Sequence, residues 1–184
     1  MFERGFKTWS ERFSLQKRRE LGLRAHDPLD ARKLAQNLGI RVWTIEEVPG
    51  LSAESKKTLL EDDQAGWSAT TICSGSQNLI VLNSSHSLGR QASDLMHELA
   101  HLILGHRPSP VDVAVDGSLM LHSYDRRQED EANWLASCLL LPREALIHIK
   151  RREPDLFAAA KLYGVSQAML KYRLDVSGVN YQFA

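Results

Sequence analysis

The residues best suited to do chemistry lie in the segment HELAH, at positions 97–101. On an α-helix, positions four residues apart project about 40° apart, so His97 and His101 stand one turn apart on one face. This spacing allows two imidazoles to bind one zinc ion at about 2.0–2.1 Å. Glu98 is placed to hold a water at the metal and to take its proton as it attacks a carbonyl. The segment therefore predicts a hydrolytic site with Zn²⁺ as cofactor, and this site needs a third ligand.

The helix that carries this segment is predicted to have two faces. Its apolar face is formed by Ala92, Leu95, Met96, Leu99, Leu102 and Ile103. Its polar face is formed by Arg90, Asp94, His97 and His101. Asp94 is a candidate to support the site by hydrogen bonding. The alternative is an amphipathic helix whose histidines are merely exposed, because HExxH also occurs by chance.

His106 is a candidate third ligand, but its register argues against that role. The pattern HExxHxxGxxH requires glycine at position 104 and histidine at 107, where this chain has Leu104 and Arg107. Gly105 is more simply predicted to end the helix, and His106 to contact the last helical carbonyls.

The acidic segment EDEANWLAS, residues 129–137, offers better third ligands. A ligand helix must approach the zinc helix closely, so its inward side needs small residues. Helical periodicity places Ala132, Asn133 and Ala136 on the side of Glu129. The same periodicity places Trp134, Leu135 and Cys138 on the side of Glu131. The pattern favours Glu129 as the ligand, and an acidic first turn that complements the helix dipole suits Asp130 and Glu131.

Residues near this acidic segment are predicted to assist the site. Asn133, one turn after Glu129, could hydrogen-bond a zinc histidine. Tyr124 and His122, shortly before the segment, are candidates to stabilise the transition state.

The elements that must position these residues indicate an α+β chain that is mainly helical with a small β-sheet. Helices are predicted in about residues 1–40, where Asp27 or Asp30 caps the second helix and Gly39 ends it. Strands are predicted at 40–45, 66–72 and 78–83, and the pair Asp116-Gly117 predicts a hairpin. A helical hairpin follows at about 154–175. We expect one domain over residues 1–184.

The charge composition of the chain bears on whether it binds nucleic acid. The chain has 23 basic and 23 acidic residues, and this zero net charge argues against direct nucleic-acid binding. Seven basic residues nevertheless fall between Glu3 and Arg24, which indicates a solvated helix face or a docking surface for an acidic partner.

The tail from Tyr163 to Leu174 is similar to half of a helix-turn-helix, but a helical hairpin beside the core is favoured. We expect no specific DNA binding, and substitution of Arg173 by alanine tests this.

The remaining composition points to a cytoplasmic protein. Cys73 and Cys138 lie in no CxxC pair, so we expect reduced thiols. The N-terminal stretch MFERGFKTWSERFSL has no apolar core and is not expected to be a signal peptide. No stretch approaches the ~20 apolar residues that a membrane span needs.

HELAH at 97–101, followed by EDEANWLASCLLLP at 129–142, resembles the ImmA/IrrE family of zinc metallopeptidases. The run RQASDLMHELAHLILGH is similar to the family as well, and the resemblance covers roughly residues 65–174. It implies a gluzincin-like site, in which His97 and His101 bind zinc, Glu98 is the general base and Glu129 is the third ligand.

The resemblance also implies a substrate class, since known members of the family cleave helix-turn-helix repressors. The expected function is a zinc metalloendopeptidase that cleaves such a transcriptional repressor and derepresses its genes. The alternative is a non-catalytic regulator that keeps the zinc fold and acts by binding a repressor or DNA.

Overall fold

The computed structural model describes seven stretches of the chain: residues 2–62, 66–74, 77–106, 111–113, 119–121, 125–152 and 155–183. The described α-helices are α1 (Phe6–Glu20), α2 (Ala31–Asn37), α3 (Ala53–Lys57), α4 (Leu88–Leu104), α5 (Arg126–Leu140), α6 (Arg143–Arg152), α7 (Leu156–Leu162) and α8 (Gln167–Val176). The described strands are β1 (Arg41–Thr44), β2 (Ala69–Ser74), β3 (Gln77–Leu82), β4 (Val111–Val113) and β5 (Leu119–Leu121). The predicted α+β class, mainly helical with a small sheet, is confirmed.

Local capping explains where the helices begin. The Asp30 carboxylate accepts hydrogen bonds from the backbone of Arg32 and Lys33 and caps α2, whereas Asp27 binds Arg24 instead. The side chain of Ser87 caps α4 in the same way. A side-chain oxygen at such a position satisfies amide groups that the first helical turn leaves unpaired. These boundaries therefore follow from neighbouring residues alone.

The three-stranded sheet has the order β1-β3-β2. β1 runs parallel to β3, with Val42 opposite Ile80, and β2 runs antiparallel to β3, with Thr71 also opposite Ile80. Among the described strands β2 pairs only with β3, so it forms an edge of the sheet. β4 and β5 form a separate antiparallel pair, and the predicted Asp116-Gly117 turn between them lies outside the described residues.

The centre of the core is the packing of α4 against α5. The apolar side of α4 is buried at Leu95, Met96, Leu99 and Ala100. Facing residues of α5 are buried at Ala132, Leu135, Ala136 and Leu139. The small side chains on α5 let the two helices approach closely, as the sequence pattern predicts. Within the described part of the chain, no helix is long and apolar enough to cross a membrane.

Arg18 on α1 is fully buried, in contrast to the solvated or docking face predicted for the basic N-terminal residues. Its guanidinium donates to the carbonyl oxygens of Asp27 at 3.0 Å, Leu139 at 2.9 Å and Leu140 at 3.3 Å. Burial lowers the pKa of Arg18 to about 10, so the group remains protonated at neutral pH. Both interpretations of the basic residues are therefore wrong for Arg18, which satisfies carbonyls at the end of α5.

The C-terminal helices pack into the same core. Buried residues of α7, α8 and the turn between them include Ala159, Ala160, Tyr163, Val165, Leu170 and Leu174. Arg173 is also fully buried, where it binds the carbonyl oxygen of Leu141 at 3.0 Å and the Glu11 carboxylate at 2.6 Å. Arg173 is thus unsuited to probe DNA contact.

Candidate metal centre

Two helices bring the predicted ligands together. His97 and His101 lie one turn apart on α4, and Glu129 lies in the first turn of α5. One Glu129 oxygen is 3.2 Å from His97 Nε2, and the other is 3.4 Å from His101 Nε2. The two Nε2 atoms are 3.0 Å apart. These three side chains are between 20 and 28% exposed, so the cluster is open to a ligand from solvent.

The spacing of these atoms fits a divalent metal ion. A tetrahedral ion with bonds of about 2.0–2.1 Å holds its ligand atoms about 3.3 Å apart, close to the observed 3.0, 3.2 and 3.4 Å. Burial, with the neighbouring rings of His97 and His106, lowers the pKa of His101 to about 4. His101 is therefore neutral at neutral pH, which is the form that binds metals. Within the described residues, His97, His101 and Glu129 form a group able to hold a metal ion.

The outer nitrogen of His97 has a partner on α5. Its Nδ1 lies 3.0 Å from Oδ1 of Asn133, one turn after Glu129. An imidazole that binds a metal through Nε2 carries a hydrogen on Nδ1, and the Asn133 oxygen can accept it. One helix thus places both the Glu129 carboxylate and the Asn133 side chain next to His97.

Glu98 contacts a residue that the sequence analysis did not single out. The hydroxyl of Thr71, on the edge strand β2, donates a hydrogen bond to Oε2 of Glu98. Both side chains are partly buried. The contact connects the candidate general base to the sheet, and Thr71 is separated from Glu98 by 27 residues. No local sequence pattern indicates such a pair.

His106 lies beside the cluster; its backbone contacts one of the last helical carbonyls, as predicted, while its ring contacts other groups. Its backbone N–H donates to the carbonyl of His101 at 3.0 Å, which completes the turn after Gly105. Its ring does not turn to the last carbonyls. Nδ1 of His106 lies 2.9 Å from Nδ1 of His101, and Nε2 lies 3.4 Å from the Glu131 carboxylate.

The remaining predicted residues are Asp94, Tyr124 and His122. The Asp94 carboxylate is 3.3 Å from Nδ1 of His86 and 3.8 Å from Nε of Arg90. Tyr124 and His122, the candidates for transition-state stabilisation, lie outside the described residues.

Comparison with protein families agrees with the resemblance seen in the sequence. The model of the IrrE N-terminal-like domain, a family of M78 peptidases, matches residues 35–175. The chain belongs to this family. The match includes α4, α5 and the whole His97, His101 and Glu129 cluster. No curated protein is significantly similar to the sequence.

A Mycobacterium tuberculosis transcriptional regulator is among the solved structures that share the fold of this M78-family chain. It aligns with a TM-score of 0.56 and 19% sequence identity. The alignment covers 94% of this chain and 47% of the regulator, so the chain spans about half the length of that protein. At this identity the likeness concerns the fold alone.

Proposed function

We propose that the chain is a zinc-dependent endopeptidase. The observation that carries the proposal is the cluster of His97, His101 and Glu129, whose ligand atoms lie within 4.8 Å of one another. Glu98 follows His97 directly on the same helix. Two imidazoles and one carboxylate are a ligand set typical of catalytic zinc, which keeps a fourth position for water or substrate. When bound, zinc supplies a Lewis acid that polarises the peptide carbonyl and lowers the pKa of water.

Glu98, Thr71 and Asn133 have separate roles in the proposed reaction. Glu98 accepts a proton from the water that attacks the carbonyl carbon, and it returns the proton to the nitrogen as the C–N bond breaks. Thr71 holds the Glu98 carboxylate through its hydroxyl, which restricts the directions that the base can take. Asn133 orients the His97 ring through Nδ1. Each contact fixes a side chain before substrate arrives, which lowers the cost of organising the site.

The edge strand β2 suits an extended peptide as substrate. Among the described strands, β2 pairs on one side only, with β3. A peptide laid along its other side would form backbone hydrogen bonds as an added strand. Because Thr71 of β2 contacts Glu98, such a peptide would pass the general base. This arrangement favours cleavage within a chain over reactions of small molecules.

We infer that the natural substrate is a cytoplasmic helix-turn-helix repressor, whose cleavage derepresses its genes. Membership of the M78 peptidase family and the resemblance of HELAH and EDEANWLASCLLLP to ImmA/IrrE proteins support this substrate class. The fold shared with a transcriptional regulator is compatible with it.

The decisive experiment compares the unmodified chain with Glu98→Gln. Both proteins are analysed for zinc and incubated with the repressor encoded nearest the gene. Glutamine has nearly the shape of glutamate but cannot accept a proton, so we expect one zinc per chain in both proteins. We expect at least a ~10²-fold loss of cleavage in Glu98→Gln, the lower end for removal of a general base.

Two controls separate the alternatives. A chelator should stop cleavage by the unmodified chain, and metal-free protein with full activity would contradict the proposal. Derepression in cells should also fail with Glu98→Gln. If derepression persists without cleavage, the chain acts as a regulator that binds a repressor or DNA.

A further inference from the structure

Beyond the three candidate ligands, a series of side-chain contacts runs from His101 through His106 to Glu131. Nδ1 of His101 lies 2.9 Å from Nδ1 of His106, and Nε2 of His106 lies 3.4 Å from Oε2 of Glu131. The side chains of His106 and Glu131 are 8 and 14% exposed, less than any of the three candidate ligands. Arg127 contacts the other oxygen of Glu131 at 2.8 Å from the solvent side. Burial on this scale is unusual for a charged or polar side chain unless it is paired.

The backbone places His106 at this point. α4 ends at Gly105, which has a φ of 66° in the left-handed region that glycine adopts readily. The next backbone N–H, that of His106, donates to the His101 carbonyl. The chain therefore turns back on the helix, and the His106 ring lies against the ring of His101, with centroids 5.0 Å apart.

In this series of contacts, His101, His106 and Glu131 can pair each donor with an acceptor. A metal bound at Nε2 of His101 leaves the hydrogen on Nδ1, which must then find an acceptor. His106 can accept it at its own Nδ1, provided that it carries its hydrogen on Nε2. That hydrogen points to the Glu131 carboxylate, which can only accept when ionised. Glu131 thereby selects the His106 tautomer that accepts from His101.

The same arrangement exists once more at the other histidine. Nδ1 of His97 faces Oδ1 of Asn133, while its Nε2 faces Glu129. Both histidines thus direct Nε2 inward to Glu129 and Nδ1 outward to a partner. His106 occupies, for His101, the place that Asn133 occupies for His97.

We propose that His106 and Glu131 are positioning residues that hold the His101 ring in register for the metal and do not bind the metal themselves. This inference rests on the proposed zinc site. The contact to His106 lies on the Nδ1 side of the His101 imidazole, whereas Glu129 lies on the Nε2 side. A metal held by His97, His101 and Glu129 is therefore separated from His106 by the His101 ring.

Substitutions of His106 can distinguish the effect of losing the hydrogen bond to His101 from the effect of losing side-chain volume. His106→Asn places an oxygen near the position of Nδ1 and can accept from His101. His106→Gln places its amide near the position of Nε2, so it fills space and reaches Glu131 but leaves His101 without a partner. His106→Ala removes both contacts. For α5, Glu131→Ala is matched with Asp130→Ala, because Asp130 is its exposed neighbour.

Zinc affinity, measured on the full chain by competition with a chromophoric chelator, is the principal readout. We expect His106→Ala and His106→Gln to bind zinc about 10–100-fold more weakly, the range for loss of an outer hydrogen-bond partner. Affinity should return to near the original value in His106→Asn. Glu131→Ala should weaken zinc binding, and Asp130→Ala should not. The visible spectrum of the cobalt-substituted protein should keep its four-coordinate intensity in every variant.

Each result decides one question. If the unmodified chain binds no zinc, the proposed function fails. If it binds zinc and His106→Gln binds equally tightly, only the positioning role fails. A His106→Asn protein as weak as His106→Gln would overturn the hydrogen-bond argument. A changed cobalt spectrum in His106→Gln would instead make His106 a ligand. Because His106→Gln keeps the volume of the side chain, the test survives if His106→Ala does not fold.

Discussion

Glu129 and Glu131 lie two residues apart on α5 and face different partners. Two helical positions correspond to about 200° of rotation, so the two carboxylates cannot reach the same point. Glu129 faces the Nε2 atoms of His97 and His101, while Glu131 faces His106 and Arg127. At the residue scale, this difference assigns the two acids different roles.

Changing Glu129 to alanine is therefore expected to lower zinc affinity and peptidase activity together. Only two histidines would remain, and we expect a loss of more than about 100-fold in affinity, beyond that for an outer hydrogen-bond partner. Glu131→Ala should still bind one zinc per chain when zinc is in excess. Metal content after equilibrium dialysis, measured with the turnover rate, checks both variants. A Glu129→Ala protein that keeps zinc and activity would transfer the ligand role to another residue.

At the scale of elements, the C-terminal end of α5 depends on α1. The last carbonyls of a helix have no partner within the helix, and buried carbonyls need one. The guanidinium of Arg18 serves the carbonyls of Leu139 and Leu140, and Arg173 serves that of Leu141. The same helix carries Glu129 and Asn133 in its first turns, so these contacts fix the far end of the helix that contributes to the candidate metal centre.

We expect Arg18→Met to lower the free energy of unfolding by roughly 2–4 kcal/mol, because it leaves buried carbonyls without donors. Urea denaturation of the metal-free chain measures the change. Arg19→Met is the matched control, since Arg19 is exposed on the same helix and should change stability by less than about 0.5 kcal/mol. Equal effects of the two substitutions would contradict the structural role of Arg18.

At the scale of the whole molecule, the C-terminal helices contribute buried residues to the core. Leu170, Arg173 and Leu174 of α8 are buried, and the chain carries no net charge. A DNA-reading helix needs exposed side chains that enter a groove, and phosphate binding needs a basic surface. We therefore expect the segment Tyr163–Leu174 to close the core rather than to read an operator.

We expect the chain to give no specific footprint on operator DNA at physiological salt. Exposed Lys161 and Lys171 replace the buried Arg173 as probes, because their substitution does not disturb the core. Fluorescence anisotropy with operator and scrambled duplexes should show no difference between them. A specific complex that is lost in the Lys161→Glu, Lys171→Glu double variant would refute this expectation.

The sequence by itself determined the local features of this protein. The cap of α2, for which Asp30 was one of two candidates, the helix end at Gly105 and the shared face of His97 and His101 all follow from residues within one or two helical turns. Helical periodicity also distinguished the small-residue side of Glu129 from the bulky side of Glu131. Neighbouring residues set backbone conformation and side-chain direction directly, so these features could be predicted.

Only the tertiary structure decided which distant side chains meet. The Thr71 contact with Glu98, the His106 contact with Glu131 and the Arg18 contact with Leu140 join residues that are 25 to 122 positions apart. These contacts depend on how α4 packs against the sheet and α5, and on how α1 lies across the end of α5. Neither composition nor periodicity specifies those packing arrangements, because many helix pairs with the same apolar faces could pack differently.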